Sequence, residues 1–317
     1  MPAVPAVGSP TVAAPRVSVI TIFFNAERYL SEAVASVWSQ DYPDWELLLV
    51  DDGSTDGGTA IARRLAEQQP ERVRYLEHPE HQNRGMSASR NVGLRAARGT
   101  YVAFLDADDV WLAHKLSRQI TLMDQMPTAV MSYGATEYWY SWTGDPADQE
   151  RDRPLVLGVE PDSLVLPPKL LLGSLRGTAA PPCPSDMLVR RAVLEQVGGF
   201  EESFRGLYED QVIFAKVSLA GPVFVSSERW ARYRQHPDSC CSVADRTGVR
   251  DAARRHFLEW LERYVAASAP VGGELRQVVR RALRPYRRTP LERLLVRART
   301  RVSQAIRAAL RGATRSS

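Results

Sequence analysis

The chain has 317 residues, of which 44% are hydrophobic and 25% are charged, and its formal net charge is +4. This composition excludes collagen-like and wholly disordered proteins, and the length is enough for one large domain with an appendage. No run of about 18 apolar residues occurs, so the sequence predicts no transmembrane helix. Three cysteines, Cys183, Cys240 and Cys241, are too few for a disulfide framework in a chain of this length.

The two ends differ in composition from the rest of the chain. Residues 1–15 are rich in Pro, Ala and Val and carry no charged side chain. A secretory signal needs a basic start and a longer apolar core, so we expect residues 1–15 to be a disordered leader and the protein to be cytoplasmic. From Arg276 onward arginines are frequent and Glu292 is the only acid, so the positive charge belongs to the C-terminal segment.

Strand and helix patterns alternate in the first third of the chain. Short apolar, β-branched runs predict buried strands at 17–23, 45–50, 72–76 and 101–105. Three helices are predicted between them: one capped by Asn25, one over 56–69, and one over 87–97 closed by Gly99. This alternation predicts βαβ units and a mostly parallel sheet.

The second half is less regular. It predicts a strand rich in aromatic residues at 130–140, a long loop at 142–168, a strand at 187–190 and a helix at 192–197. A helix over 208–219 and closing strands at 223–226 and 230–234 follow. A loop as long as 142–168 in a compact domain is more often functional than not.

Polar side chains follow three of the predicted strands where each strand ends. These residues are Asn25 and Glu27 after the first strand, Asp51 and Asp52 after the second, and Asp106 and Asp108 after the fourth. In open α/β sheets, ligands bind beyond the carboxyl ends of the strands. We therefore expect these side chains to line one crevice.

Asp106 and Asp108 flank one small residue directly after a predicted buried strand. Carboxylates on a short loop suit a hard divalent cation, so this pair is a candidate site for Mg²⁺ or Mn²⁺ beside substrate phosphates. Such a metal neutralises the charge that develops on a leaving nucleotide. An Asp-x-Asp pair is also common in solvated acidic turns, so the pair needs its context to be interpreted.

Several further motifs occur in a fixed order along the chain. They lie at 18–25, 39–40, 50–56, 83–91, 99–109, 187–191, 197–200, 208–210 and 233–236. This series resembles the family 2 glycosyltransferases with the GT-A fold. The resemblance implies an α/β GT-A domain over 16–245, Rossmann-like with a mostly parallel central sheet flanked by helices, and a helical, Arg-rich extension over 246–317.

The resemblance also implies a reaction. A hexosyltransferase-type enzyme of this family moves a sugar from a UDP-, GDP- or dTDP-sugar to a hydroxyl of a glycan or lipid-linked acceptor. The transfer inverts the anomeric centre, uses Mn²⁺ or Mg²⁺ as cofactor, and serves the synthesis of cell-surface polysaccharides or glycoconjugates.

Asp210, in the pair Glu209-Asp210, resembles the family's catalytic base. An inverting transfer needs a carboxylate that takes the acceptor hydroxyl's proton, and a carboxylate near a helix N-terminus stays ionised at neutral pH. Helix capping is the simpler alternative for these two acids.

The resemblance assigns the donor's base to Asp52 and Phe24. It assigns the metal and the donor's ribose and phosphates to Asp106 and Asp108, so Asp106 is both a donor contact and a metal ligand, and Asp108 is the better metal ligand. His236 is implied as a third metal ligand or a diphosphate contact, with a structural histidine as the alternative. The remaining predicted donor contacts are Glu27, Asn83 and Arg90. Arg90 either faces the donor's phosphates or pairs with one of the acids.

Two other functions use similar residues. A sugar nucleotidylyltransferase needs a Gly-rich, basic phosphate loop after the first strand, and residues 23–27 supply none. A catalytically inactive nucleotide-sugar-binding or scaffold protein would keep the fold, but acids stand at all the predicted catalytic and metal positions.

Apolar residues recur at three- and four-residue spacings near the C-terminus, with arginines between them. The apolar positions are Leu291, Leu294, Leu295, Ala298, Val302, Ile306 and Leu310. This pattern predicts a basic amphipathic helix. It suits peripheral contact with the anionic inner face of a membrane, and packing on the core or on the second subunit of a homodimer is the alternative. Nucleic-acid binding is the rival function for a basic helix, but we expect no nucleic acid as a partner.

If the tail contacts membranes, the full chain will bind vesicles of anionic lipid more strongly than vesicles of neutral lipid, because arginines are attracted to anionic headgroups. A chain lacking residues 285–317 will lose this difference. Vesicle co-sedimentation of both chains measures it, and equal binding by the two contradicts membrane contact through the tail.

Overall fold

The computed structural model describes residues 14–267 and 272–287. The chain divides into two compact units, with the boundary between Arg250 and Asp251. Most of the predicted leader, and all of the apolar positions of the predicted C-terminal amphipathic helix, lie outside the described residues. Among the helices that are described, none combines the length and the apolar character needed to cross a bilayer.

Strands and helices alternate through the described residues. The strands are β1 (Val17–Phe23), β2 (Trp45–Asp51), β3 (Val73–Glu77), β4 (Tyr101–Phe104), β5 (Val110–Trp111), β6 (Met131–Tyr133), β7 (Glu137–Trp139), β8 (Arg153–Pro154), β9 (Ser163–Val165), β10 (Leu188–Arg190), β11 (Val223–Val225) and β12 (Ala231–Arg234). The helices are α1 (Glu27–Trp38), α2 (Gly58–Gln68), α3 (Met86–Ala96), α4 (Lys115–Gln125), α5 (Pro146–Gln149), α6 (Lys169–Arg176), α7 (Arg191–Gln196), α8 (Glu209–Ala220), α9 (Cys240–Thr247), α10 (Arg250–Ala267) and α11 (Gly273–Arg287).

The larger sheet has eight strands in the order β3-β2-β1-β4-β10-β6-β11-β9. β1 pairs in parallel with β2 and β4, and β2 pairs in parallel with β3. β10 is antiparallel to both of its neighbours, β4 and β6. The predicted α/β class and the parallel order of the first four strands are confirmed, and the strands from the second half of the chain make the sheet mixed.

Alternate residues of β1 enter two apolar layers, because side chains of a strand point to opposite faces. Val19 packs in the layer that includes Leu30 of α1, and Ile20 packs in the layer that includes Leu94 of α3. All seven residues of β1 are buried. Full burial on both faces explains why apolar residues occupy both faces of this strand and do not alternate with exposed polar ones.

The smaller sheet has the order β5-β12-β7-β8. β12 is antiparallel to β5 and parallel to β7. The Arg234 amide at the end of β12 donates to Asp109 Oδ1 over 3.0 Å, and Arg234 Nε donates to the Asp108 carbonyl over 2.7 Å. This pairing brings the chain after β12 beside the acidic loop that follows β4.

Two predictions for the second half of the chain, a single strand and a long loop, are wrong. The predicted strand over 130–140 is two strands in two sheets, because the chain turns between them, where Gly134 N and Thr136 Oγ1 both donate to the buried Asp186 carboxylate. The predicted loop over 142–168 contains α5, β8 and β9.

Two predicted helix ends are also wrong. Ala26 is the N-cap of α1, while Asn25 has a φ of 51° and its Oδ1 accepts a hydrogen bond from Thr55 N over 2.7 Å. The predicted C-cap Gly99 lies beyond the end of α3, whose C-cap is Ala97. A Cβ on Gly99 would lie 2.5 Å from Ser18 N, so a close approach of two backbones requires this glycine.

Gly93 lets α3 lie directly on β1, since a Cβ at this position would be 2.5 Å from Ile20 Cγ2. We expect Gly93→Val to lower the free energy of unfolding by about 1–3 kcal/mol, because overpacking a buried contact outweighs the small gain in helix propensity. Arg95→Val, at an exposed position of the same helix, should change stability much less. Chemical denaturation measures both, and equal stabilities of the two variants would contradict this role of Gly93.

Candidate functional site

A cavity of about 720 Å³ opens where β1, β2 and β4 end and where α8 begins. It is lined by most of the residues that the sequence singled out, namely Phe24, Asp52, Asn83, Asp106, Asp108, Asp210 and His236. The carboxyl ends of neighbouring parallel strands meet at one sheet edge, which explains why residues from distant parts of the sequence converge here.

Asp52 organises one wall of the cavity. Its carboxylate is buried and accepts hydrogen bonds from Arg84 N over 2.7 Å and from Gly85 N over 3.0 Å. A carboxylate has about four acceptor positions, so Asp52 keeps capacity for a ligand donor. The nearby Phe24 ring is 51% exposed and lines the same cavity, so its face is free to take a planar group.

Asp108 and His236 meet directly at the acidic loop. His236 Nε2 lies 2.9 Å from Asp108 Oδ2, and no hydrogen-bond partner within the described residues reaches the buried His236 Nδ1. Two ligand atoms about 2.1 Å from one octahedral cation lie about 3.0 Å apart, so this spacing fits two neighbouring ligands of Mn²⁺ or Mg²⁺. With Asp106 beside them, the donor set is two carboxylates and an imidazole, and the carboxylates suit a divalent cation such as Mg²⁺ or Mn²⁺.

Asp109 is adjacent to these acids but is held by the protein. It is fully buried, and its carboxylate accepts hydrogen bonds from Ser185 Oγ over 2.5 Å and from Arg234 N over 3.0 Å. Burial, together with the charges of Asp108 and Asp106, raises the pKa of Asp109 well above its usual range. Asp109 therefore supports the loop and is not a free ligand.

Cys183 lies against Asp109, with its Sγ 3.5 Å from Asp109 Oδ2. Ligand atoms of Asp106, Asp109 and Cys183 lie within 4.8 Å of one another. Burial raises the pKa of the Cys183 thiol well above its usual range, and the nearby Asp109 and Asp106 raise it further. The thiol is therefore protonated near neutral pH and is a weaker candidate ligand than His236.

Asp210 stands in the first turn of α8, and its carboxylate accepts a hydrogen bond from Gln211 N over 2.8 Å. Burial raises the pKa of Asp210 above that of an ordinary aspartate, while the Gln211 amide and Arg90 oppose this shift. Tyr208, the residue before α8, has a φ of 70°. Left-handed backbone at a residue with a side chain stores strain, and such strain is concentrated at functional sites.

Arg90 and Glu27 do not line the cavity, although both were predicted to contact the donor. Arg90 is 2% exposed and pairs with Asp106 and Glu209, which is the second of its two predicted alternatives. The Glu27 carboxylate accepts a hydrogen bond from Gly57 N over 3.0 Å at the start of α2. A direct donor contact by Glu27 stays a prediction, and the structure shows its carboxylate holding the start of α2.

Several cavity residues were missed from the sequence. Arg28 and Arg205 bring positive charge to the lining, and Tyr138 and Tyr233 add an aromatic pair whose ring centroids are 5.5 Å apart. Arg205 NH2 donates to the Asn83 carbonyl over 2.8 Å. No local pattern marks Arg205, Tyr138 and Tyr233, because their positions depend on the loop before α8 and on the pairing of β7 with β12, whereas Arg28 follows β1 directly in α1.

Comparison with known proteins gives a family and a fold. The family model for glycosyl transferase family 2 matches residues 18–198. An uncharacterized glycosyltransferase of Nostoc sp. is 30% identical over 251 residues, which are 79% of this chain and 74% of that protein. The Escherichia coli UDP-Glc:alpha-D-GlcNAc-diphosphoundecaprenol beta-1,3-glucosyltransferase WfgD is 38% identical over 107 residues, 34% of this chain and 40% of that protein.

Among solved structures, the mannosyltransferase PcManGT of Pyrobaculum calidifontis, in complex with GDP-Man and Mn²⁺, resembles this chain with a TM-score of 0.57 at 18% identity. The alignment covers 92% of this chain and 81% of that protein. At this identity the likeness supports the fold alone. The chain therefore belongs to glycosyl transferase family 2 and is a glycosyltransferase with a GT-A-like fold.

Proposed function

We propose that this glycosyltransferase moves a sugar from a nucleoside-diphosphate donor to an acceptor hydroxyl, with inversion and with a divalent metal ion. The observation that carries the proposal is that one cavity holds Asp210 together with Asp106, Asp108 and His236. A base and a candidate metal site that share one cavity can act on the two sides of a single anomeric carbon.

The donor would bind along the strand ends. Phe24 would stack on the nucleoside base and Asp52 would accept a hydrogen bond from it, with Asn83 nearby. Arg28 and Arg205 would contact the diphosphate. Their positive charge would neutralise its negative charge, which the apolar and acidic residues of the lining cannot do. A UDP-, GDP- or dTDP-sugar suits these contacts, and the relatives named above act on UDP-Glc or bind GDP-Man.

Asp106, Asp108 and His236 would hold Mn²⁺ or Mg²⁺ beside the diphosphate. The metal would supply positive charge that stabilises the leaving nucleoside diphosphate. Asp109, held by Ser185 and Arg234, would keep the loop that carries these ligands in place.

Asp210 would take the proton from the acceptor hydroxyl. As that oxygen bonds to the anomeric carbon, the bond from this carbon to the diphosphate oxygen breaks, and a single displacement inverts the configuration. The raised pKa of Asp210 supports this role, because a base works best when its pKa lies closer to the working pH.

The acceptor would enter over the uncharged part of the lining. This part includes Tyr138, Leu155, Pro181, Pro182 and Tyr233. A glycan or lipid-linked sugar is the proposed acceptor, in line with the diphosphoundecaprenol acceptor named for the Escherichia coli relative. Such an acceptor makes the cytoplasmic face of a membrane the proposed place of action.

The base assignment predicts that Asp210→Asn lowers kcat for sugar transfer by roughly 10²–10⁴-fold, because general-base catalysis contributes about that much. Binding of UDP or GDP with Mn²⁺ should persist. Asp124→Asn, which also turns an acid into an amide but lies on α4 outside the cavity, should keep wild-type kcat. Turnover of a panel of UDP-, GDP- and dTDP-sugars measures both, and wild-type turnover by Asp210→Asn would refute the assignment.

The metal assignment predicts that Asp108→Asn and His236→Ala each weaken Mn²⁺ binding by at least about tenfold. Even the loss of a residue that only hydrogen-bonds to a metal ligand weakens binding by about that much. His114→Ala, outside the cavity, should bind Mn²⁺ like wild type. Electron paramagnetic resonance of free Mn²⁺ in the presence of UDP or GDP reports the affinity directly. Unchanged affinity in the first two variants would place the metal elsewhere.

A further inference from the structure

We propose that Arg90 is a positioning residue that joins the metal side of the site to the helix that carries the catalytic base. The inference rests on the proposed function. Arg90 NH2 lies 2.6 Å from Asp106 Oδ1, and Arg90 NH1 lies 2.5 Å from Glu209 Oε1. Glu209 directly precedes Asp210 in α8.

The bridge joins three elements that are distant in sequence. Arg90 belongs to α3, Asp106 follows β4, and Glu209 is the first residue of α8. A guanidinium is planar and presents its donors as a rigid fork, so one side chain can meet two carboxylates in fixed directions. The NH1 contact to Glu209 is a close ion pair whose angle falls outside hydrogen-bond geometry.

The surroundings of Arg90 hold it in one place. Its side chain is 2% exposed, and its guanidinium carbon lies 5.5 Å from the centre of the Phe200 ring. Glu209 is equally enclosed, with 5% of its side chain exposed. Leaving an ionisable group unpaired at this depth costs free energy, so the contacts among Arg90, Asp106 and Glu209 restrain the positions of all three side chains.

The position of the bridge gives it a consequence for the reaction. Asp106 stands two residues before Asp108, and Asp210 stands one residue after Glu209. A shift of Glu209 therefore moves Asp210 relative to the metal side. Displacement of a reacting group by about 1 Å can lower a rate by about 10²-fold, so the bridge would set kcat without touching the substrate.

Two variants separate positioning from stability. Glu209→Gln removes the carboxyl group on the α8 side of the bridge and leaves Asp106 paired with Arg90. Arg90→Lys keeps the positive charge but replaces the fork with a single ammonium, which cannot hold both carboxylates in the same directions. Glu46→Gln is the matched control, because Glu46 is a carboxylate of 2% side-chain exposure, paired with Arg74 and Arg98 and outside the cavity.

We expect Glu209→Gln to lower kcat by at least about tenfold while the Kd for UDP or GDP with Mn²⁺ stays within about twofold of wild type. Arg90→Lys should lower kcat and also weaken nucleotide binding, since it disturbs Asp106 as well. Glu46→Gln should lower Tm and leave both kcat and Kd unchanged. Calorimetry gives Kd, thermal unfolding gives Tm, and turnover of the donor panel gives kcat per folded molecule.

A Glu209→Gln enzyme that keeps wild-type kcat, or that loses only stability as Glu46→Gln does, overturns the inference. Should Arg90→Lys fail to fold, Glu209→Gln decides alone. A folded wild-type protein that turns over no member of the donor panel overturns the proposed function and this inference with it. An active wild type with an unaffected Glu209→Gln variant overturns the inference only.

Discussion

The geometry of the cavity depends on one buried carboxylate, that of Asp109. It is fully buried and accepts hydrogen bonds from Ser185 Oγ and Arg234 N, so it ties the acidic loop after β4 to the end of β12. This tie holds the acidic loop against the end of β12, close to the place where His236 Nε2 meets Asp108 Oδ2. Asp109 lies next to the predicted metal ligands in the sequence, but it holds the loop that carries Asp106 and Asp108.

Asp109 is one of several buried ionisable groups that the fold keeps around the cavity. Arg90, Glu209 and Arg234 are each less than 5% exposed, and each pairs with a group from another element. Replacing paired buried charges with apolar residues would often be neutral or favourable for stability. Their presence is better explained by the precise placement of polar groups that a transfer reaction needs than by stability.

Functional residues that lie next to the end of a strand or a helix could be predicted from the sequence. Asp106 and Asp108 follow β4, and the local pattern predicted that they line one crevice. Asp210 lies in the first turn of α8, and family resemblance predicted it as the base. The structure places all three in one cavity. The Glu27 carboxylate accepts a hydrogen bond at the start of α2, a contact with Gly57 that the sequence did not predict. The prediction of one strand over 130–140 was wrong because the chain passes from one sheet to the other within this segment. Asp186, about fifty residues later, accepts the hydrogen bonds of Gly134 N and Thr136 Oγ1 at that point.

The sequence by itself determined the α/β class, the parallel order of the first four strands and the family, because buried strands and strand-end acids leave local patterns. Only the tertiary structure decided the pairing of Arg90 with Asp106 and Glu209, the hydrogen bonds that hold Asp109, and the cavity positions of Arg205, Tyr138 and Tyr233. These depend on contacts between residues far apart in the chain. The local sequence does not predict which distant carboxylate pairs with an arginine, because burial and pairing arise only when the sheets and helices pack together.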